Sequence, residues 1–287
     1  MTLFRKLAAV LLAASAGAAT LAFSLRAQQI ASATPEPATP PATASLTLVV
    51  LDPAHGGSDA GAMFGSVAEK DVTLALASRL RGALTSSGFS VISTRDADPI
   101  DPLTTDQRAE TANRTHPLAC IVLHATNTGS GVHVYTSALQ PPVPDAGTPD
   151  LPASFAPVPW DTAQSKFVAQ SLSLASSVTL ALGKDHLPAL SGQARVRPLD
   201  NLMCPAIAIE LAPLLAANAG STPPTDAAYQ QQLATTLTNA LRSWRDHTQA
   251  STASRARLDS QISAQARANA AARARAPDGA ATAKAQP

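Results

Sequence analysis

The chain has 287 residues, of which 45% are hydrophobic and 3% are aromatic, and its formal net charge is +1. That length accommodates one or two domains. A net charge so close to zero gives no electrostatic reason to expect nucleic acid as a partner. The two cysteines are too few for a small scaffold held together by disulfides.

The N-terminus, residues 1–27, has the pattern of an export signal. Arg5 and Lys6 precede a mostly apolar run at residues 7–23, and this order is typical of a secretory signal peptide. The run is close to the lower limit for a spanning helix. An uncleaved anchor, which would tether the protein to a membrane, is therefore the alternative to cleavage near Ala27. Either way, we predict an exported protein of the periplasm or cell envelope.

Composition divides the rest of the chain into three parts. Residues 28–45 are rich in Pro, Ala and Thr, which favours a linker because proline removes hydrogen-bond donors and nothing there is bulky enough to form a core. The folded body is expected over residues 46–247. The Ala- and Arg-rich tail at residues 248–287 has few apolar anchors, so we expect it to be disordered or loosely helical.

Short apolar runs alternate with helical patterns through the body. The predicted strands lie at residues 46–51, 89–94, 120–124, 132–136 and 206–209. The predicted helices lie at residues 69–87 and 106–114, from a cap at Asp161 or Thr162 to Leu182, and from a cap at Thr225 onward through an apolar stripe of Leu233, Leu237, Leu241 and Trp244. This order predicts an α/β fold, a single layered domain with a central mostly parallel or mixed sheet flanked by helices. The Pro-rich segment at residues 140–159 predicts a long surface loop.

The two cysteines, Cys120 and Cys204, lie beside predicted core strands. Buried free thiols are the default expectation for both. A single bridge between them is the alternative in an oxidising compartment, because sequence cannot place their Cα atoms.

Three residues at the ends of predicted elements could share a metal ion. His55 follows the first strand, Glu69 opens the first helix, and His124 ends a buried strand. Each has an ordinary explanation when taken alone: a turn residue, a carboxylate that complements the helix dipole, and a core histidine. Strand ends and helix starts on one side of an α/β sheet converge on a common crevice. Together the three residues predict an open zinc site with three protein ligands.

A fourth residue, Glu210, gives that site a chemical use. It follows the apolar run Ala206–Ile209, and a carboxylate there is costly unless it is paired or functional. Beside water activated by a metal, a carboxylate acts as a general base and later as an acid. The sequence therefore predicts a hydrolase.

Six segments together resemble one known family in order and spacing. They are DPAHGG at residues 52–57, GAMFGSVAEKD at 61–71, TRD at 94–96, a helix with Leu103, Arg108 and Ala112-Asn113, VLHATN at 122–127, and PAIAIEL at 205–211. The family is that of the zinc-dependent N-acetylmuramoyl-L-alanine amidases of type 3, the AmiC-like amidases.

The resemblance covers about 200 residues, from Leu46 to the last helix. It implies that His55, Glu69 and His124 bind Zn²⁺ and that Glu210 is the catalytic glutamate. It also implies that the substrate is peptidoglycan, cut at the amide between the lactyl group of N-acetylmuramic acid and L-alanine.

The sequence departs from the family pattern at the rim of the expected site. Ala54 replaces a glycine, Thr126 is inserted before Asn127, and Pro213 lies in an altered segment after the glutamate. These departures keep two alternatives open. One is a non-catalytic peptidoglycan-binding protein of the same fold, and the other is an exported metallohydrolase that acts on another amide.

Overall fold

Residues 45–141, 159–216 and 220–275 are described by the structure, which is a computed structural model. The predicted export segment, most of the linker and most of the 140–159 loop fall outside these ranges, so the interpretations placed on them stay predictions. Within the described ranges, no helix combines the length and apolar character needed to cross a membrane.

The strands and helices follow the predicted order with a few additions. The strands are β1 (Ser45–Pro53), β2 (Met63–Phe64), β3 (Val67–Ala68), β4 (Ser90–Ser93), β5 (Pro117–Ala125), β6 (Val132–Ser137), β7 (Ala189–Ala194), β8 (Ala206–Leu211), β9 (Leu214–Ala216) and β10 (Gly220–Thr222). The α-helices are α1 (Glu69–Ser86), α2 (Thr105–Asn113), α3 (Val168–Lys184) and α4 (Ala227–Arg275), and two 3₁₀ helices span Trp160–Phe167 and Leu199–Asn201.

A mixed sheet forms the centre of the fold, as predicted. Six of the described strands pair in the order β4-β1-β5-β8-β6-β7. Strands β4, β1, β5 and β8 run parallel to one another, and β6 runs antiparallel to β8. The carboxyl ends of β1, β5 and β8 therefore meet at one edge, where polar residues at or just after the strand ends come together.

Two clusters of buried side chains cover the two faces of this sheet. The larger cluster combines strand residues with α1, α3 and α4, and it includes the predicted stripe of Leu233, Leu237, Leu241 and Trp244. The smaller cluster lies on the opposite face, where Val122 and Ala208 pack with Ala109 of α2 and with Leu199 and Leu202. Because both faces are covered, the middle of β1, β5 and β8 is a continuous apolar run, as expected for parallel strands.

Two helix ends have recognisable capping features. Thr104 caps α2 in a reciprocal capping box with Gln107, and Gly88, with φ of +82°, follows the end of α1. The caps proposed at Asp161 or Thr162 and at Thr225 are wrong. A 3₁₀ helix occupies Trp160–Phe167 before α3 begins, and the Asp226 carboxylate, one residue later than Thr225, accepts the Tyr229 N–H at 2.8 Å.

One edge strand of the central sheet was not predicted, and the last helix extends into the tail, where a disordered or loosely helical chain was expected. Strand β7 was not predicted, because its sequence, ALSGQA, has weak strand propensity and it lies at the sheet edge, paired with β6. Helix α4 continues through the tail to Arg275. Its side chains are exposed from Gln249 to Arg273, so this part of the helix lacks a packed face.

Cys120 and Cys204 form a disulfide, so the default expectation of free thiols is wrong. Cys120 lies opposite Ala206 in the β5–β8 register, and Cys204 is just before that strand, which places the two Cα atoms 6.2 Å apart. Only the fold could reveal this proximity, because the two cysteines are 84 positions apart in the chain.

The disulfide is expected to stabilise the domain. A bridge that closes so long a loop restricts the unfolded chain, so replacing both Cys120 and Cys204 with Ala should lower the free energy of unfolding by about 2–4 kcal/mol. Urea unfolding of the oxidised protein and the double variant measures the difference. An unchanged free energy of unfolding would contradict this role.

Candidate metal centre and catalytic carboxylate

The fold brings His55, Glu69 and His124 into one cluster. His55 lies in the turn after β1, Glu69 is the first residue of α1, and His124 lies near the carboxyl end of β5. Their candidate ligand atoms all lie within 4.8 Å of one another, and the two imidazole rings meet edge to face with centroids 5.3 Å apart. The three residues predicted as ligands are thus together in space.

The Glu69 carboxylate is the buried centre of this cluster. Its Oε1 lies 2.9 Å from His124 Nδ1 and accepts the Ala125 N–H, while Oε2 lies 3.1 Å from His55 Nε2 and accepts the Ala62 N–H. Burial alone would raise the pKa of Glu69. The hydrogen bonds with both histidines and the two backbone N–H groups outweigh it and hold that pKa well below its usual range. The carboxylate is therefore ionised.

His55 is oriented by Asp59, a residue that the sequence analysis missed. Asp59 Oδ2 lies 2.9 Å from His55 Nδ1, which leaves Nε2 directed at Glu69. The hydrogen bond with Glu69 raises the pKa of His55, partial burial works against it, and Asp59 adds to the increase. A carboxylate on the outer nitrogen of a histidine is the usual support for a metal-binding imidazole.

The close packing of the cluster requires glycine at position 61. A Cβ atom there would lie 2.6 Å from both Glu69 Oε2 and the His55 ring, and Gly61 has φ of +66°. Any side chain would push the histidine and the carboxylate apart. The geometry of the site therefore requires Gly61, although this residue has no side chain that could bind or react.

Two buried arginines hold the main chain that carries His55. Arg108 donates to the Asp52 carboxylate at 2.7 Å and to the His55 carbonyl at 2.7 Å. Arg95 donates to the carbonyls of Pro53 and Ala54, both at 2.9 Å. Both lie in segments that resemble family motifs, and both hold the backbone next to His55 in place.

Glu210 lies next to the cluster on the neighbouring strand. In the β5–β8 pairing it is opposite His124, and in the β8–β6 pairing it is opposite His133. Glu210 Oε2 is 2.7 Å from His133 Nδ1. The Glu210 side chain is 31% exposed and that of His133 is 9% exposed, so the carboxylate reaches solvent while its partner does not.

Sequence analysis missed His133, although a signal was present. It is a polar residue between Val132 and Val134 in a buried strand, and the same argument that singled out Glu210 applies to it. The ring is confined by Gly129, where a Cβ atom would lie 2.7 Å from His133 Cε1. His133 therefore has a nearly fixed position from which to orient Glu210.

The departures at the rim leave the cluster intact. The left-handed backbone falls at His55, with φ of +63°, and not at Ala54, so an alanine fits there without strain. Asn127 is directed at the Met63 carbonyl, 3.4 Å away, and the Pro213 carbonyl accepts the Gly131 N–H at 2.9 Å. Both lie around the site rather than within the group of candidate ligands.

Fold and site together define an α/β protein with a His/Glu/His cluster that could hold a metal ion and a carboxylate one strand away. The sequence model of the N-acetylmuramoyl-L-alanine amidase family, type 3, matches residues 49–243. That span is more than half of the chain, and the chain belongs to this family.

Two curated relatives match over shorter segments. A germination-specific N-acetylmuramoyl-L-alanine amidase of Bacillus subtilis (strain 168) is 51% identical over 51 residues, which cover 18% of this chain and 22% of that protein. The endolysin of Bacillus phage SPP1 is 34% identical over 89 residues, covering 31% of this chain and 33% of the endolysin. The chain thus matches a third or less of the length of these relatives.

Solved structures support the fold. The apo form of an N-acetylmuramyl-L-alanine amidase from Mycobacterium abscessus has a TM-score of 0.52 at 18% identity, covering 70% of this chain and 99% of that one. An N-acetylmuramoyl-L-alanine amidase from Clostridium difficile 630 has a TM-score of 0.50 at 21% identity, covering 70% and 97%.

Replacing Arg108 with Met should loosen the turn that carries His55. The change removes the donors to His55 and leaves the Asp52 charge without its buried partner, which should cost about 3–5 kcal/mol of unfolding free energy. Denaturant unfolding measures this cost. Arg114, exposed at the end of the same helix, is the matched control, and its replacement with Met should change stability little. Equal effects of the two changes would contradict the assignment.

Proposed function

We propose that the protein is an exported, zinc-dependent amidase that hydrolyses the amide between N-acetylmuramic acid and L-alanine in peptidoglycan. The observation that carries this proposal is the gathering of His55, Glu69 and His124 next to Glu210, in a chain of the N-acetylmuramoyl-L-alanine amidase family.

The donor set of the cluster fits zinc. Two imidazole nitrogens and one carboxylate are the ligand types that catalytic zinc sites use, with a further position left open. Gly61 leaves the space between His55 and Glu69 clear, and Asp59 supports His55 from its outer side. When bound, zinc polarises a carbonyl oxygen and makes water acidic enough to attack near neutral pH.

Glu210 moves the proton in this reaction. Its carboxylate accepts a proton from the attacking water as the water oxygen bonds to the lactyl carbonyl carbon. The same carboxyl group then delivers the proton to the alanine nitrogen as the carbon–nitrogen bond breaks. The products are a lactyl carboxylic acid on the sugar and a peptide with a free N-terminal alanine.

His133 positions Glu210 for both transfers. Its Nδ1 holds Glu210 Oε2 at 2.7 Å, which leaves Oε1 to face the water and later the leaving nitrogen. Because His133 is buried between its neighbours on β6, the pair keeps one geometry. A general base has to lie within hydrogen-bond reach of the proton that it removes.

Export is proposed on two observations. The segment at residues 1–27 has the charge and apolar pattern of a signal peptide or anchor. The Cys120–Cys204 disulfide is typical of proteins that fold in an oxidising compartment. In this proposal, residues 28–45 link the export segment to a catalytic domain at residues 46–247, the tail follows at residues 248–287, and the protein works in the periplasm or cell envelope.

Replacing Glu210 with Gln should stop the reaction and leave the metal site in place. The amide keeps the size of the side chain but cannot accept the proton, so stem-peptide release from purified sacculi should fall by about 10²–10⁴-fold. Zinc content, measured by mass spectrometry, should not change. The exposed Glu110, replaced with Gln, is the matched control and should keep full activity. Wild-type rates in the Glu210→Gln variant would exclude its assigned role.

Replacing His133 should separate positioning from folding. Phe keeps an aromatic ring but cannot donate to Glu210, so kcat should fall about 10-fold or more, with little change in KM or zinc content. Asn can place an amide N–H near the original Nδ1, so His133→Asn should recover much of the rate. Steady-state kinetics on soluble muropeptides provide the test. The positioning role is wrong if both variants lose activity equally.

A further inference from the structure

A cavity of about 260 Å³ opens beside the candidate catalytic residues. His124 and Glu210 line one end of it, and Val122 and Ala208 lie two positions earlier on β5 and β8. Alternate residues of a strand point to the same face, so these four side chains form one continuous surface. The cavity is therefore an extension of the site along the sheet.

The cavity is walled mainly by apolar groups. Tyr135 of β6 lines it, together with Ala194, Val196, Arg197, Pro198 and Leu199. Val196 in that segment is 41% exposed, although a valine gains from burial. A small, largely apolar hollow with few polar groups is the usual form of a binding site.

Arg197 is the cationic residue of the cavity lining. Among the residues that the structure describes, its carboxylate partner is Asp106, with Nη1 and Oδ1 3.9 Å apart and both side chains more than half exposed, and such a pair contributes little. Asp106 also accepts a hydrogen bond from Trp160 Nε1 at 3.2 Å. The guanidinium has five N–H donors in a fork that matches a carboxylate, and this loose pair leaves it able to bind another anion.

Arg195, two residues earlier, is held in a different way. Its Nε donates to Asp200 Oδ2 at 2.9 Å, and Asp200 is buried and accepts a second hydrogen bond from Ser137. Both arginines follow the end of β7 and both are positively charged. Arg195, however, is held by the buried Asp200 and does not line the cavity. They form a matched pair for experiment.

We propose that this cavity is the subsite for the stem peptide. In this proposal, Arg197 binds the free α-carboxylate of the second residue of that peptide. This inference rests on the proposed amidase function. The lactyl carboxyl group is consumed in the scissile amide, so the carboxylates near that bond belong to the peptide. When the second residue is D-glutamate linked through its γ-carboxyl group, its α-carboxylate is separated from the scissile nitrogen by one alanine. Arg197 therefore selects the peptide that leaves.

The test compares two soluble disaccharide tripeptides that differ at one group. In one the α-carboxylate of D-glutamate is free, and in the other it is an amide, as in D-isoglutamine. A charge-assisted hydrogen bond to a carboxylate corresponds to about a 10-fold or larger effect on binding. The wild-type protein should therefore cleave the carboxylate substrate with the lower KM. Arg197→Met should raise that KM about 10-fold and leave the KM of the amidated substrate nearly unchanged.

Arg195→Met is the control and should retain the preference for the carboxylate substrate. The subsite is wrong if Arg197→Met affects both substrates equally, or if Arg195→Met abolishes the preference to the same extent. Circular dichroism and thermal unfolding of each variant show that the fold is kept.

A binding measurement separates this inference from the proposed function. Calorimetry with the zinc-loaded Glu210→Gln variant and the free tripeptide L-Ala-γ-D-Glu-diaminopimelate should detect binding that weakens about 10-fold when Arg197→Met is added. If the wild type cleaves neither substrate but this binding depends on Arg197, the amidase function fails and the peptide subsite stands. Binding that is absent, or that does not depend on Arg197, overturns the subsite.

Discussion

The carboxylate of Glu69 lies almost entirely out of solvent, with 5% of the residue exposed. A charge in that position is tolerated only when donors surround it. The donors come from two distant parts of the chain: His55 and Ala62 in the connection after β1, and His124 and Ala125 at the end of β5. Satisfying this one group therefore requires the sheet, the helix start and the turn to meet as they do.

The parallel strands bring these groups to one edge of the sheet. The antiparallel strand β6 adds a further polar residue, His133, at the same edge. Across β5, β8 and β6 the side chains of His124, Glu210 and His133 lie in one row of register partners. The sheet thus presents a candidate metal ligand, the carboxylate proposed to carry the proton and the histidine hydrogen-bonded to that carboxylate on successive strands. The arginines hold the β1 turn beside this row, and the disulfide joins β5 to the segment just before β8.

Sequence patterns predicted the parts of this arrangement that have a period or a recognisable order. The predicted features that are present include the α/β class, the strands β1, β4, β5, β6 and β8, the four α-helices and the gathering of His55, Glu69 and His124. Spacing alone could not predict the Cys120–Cys204 bridge, because proximity across 84 positions depends on strand order. Strand β7 was missed because pairing with β6, rather than its own composition, makes it a strand.

The residues that orient the site were harder to predict from the sequence than the candidate metal ligands and Glu210. Asp59 lies in a polar loop, where an acidic residue is common and gives no sequence signal. Its role in orienting His55 follows only from the short distance between the two side chains. His133 carried a usable signal, a polar residue in a buried strand, yet its partner lies 77 positions away. Long-range pairs of this kind depend on register, which a single sequence specifies only indirectly.

Identification of the bond that is cut tests the central claim most directly. Purified sacculi are digested with the full-length protein after chelation and again after zinc is restored, and the products are analysed by mass spectrometry. The account predicts zinc-dependent release of peptides with a free N-terminal L-alanine, together with glycan whose muramic acid carries a free lactyl carboxyl group. Sacculi left intact by the zinc-loaded protein, or cleavage at any other bond, would contradict it.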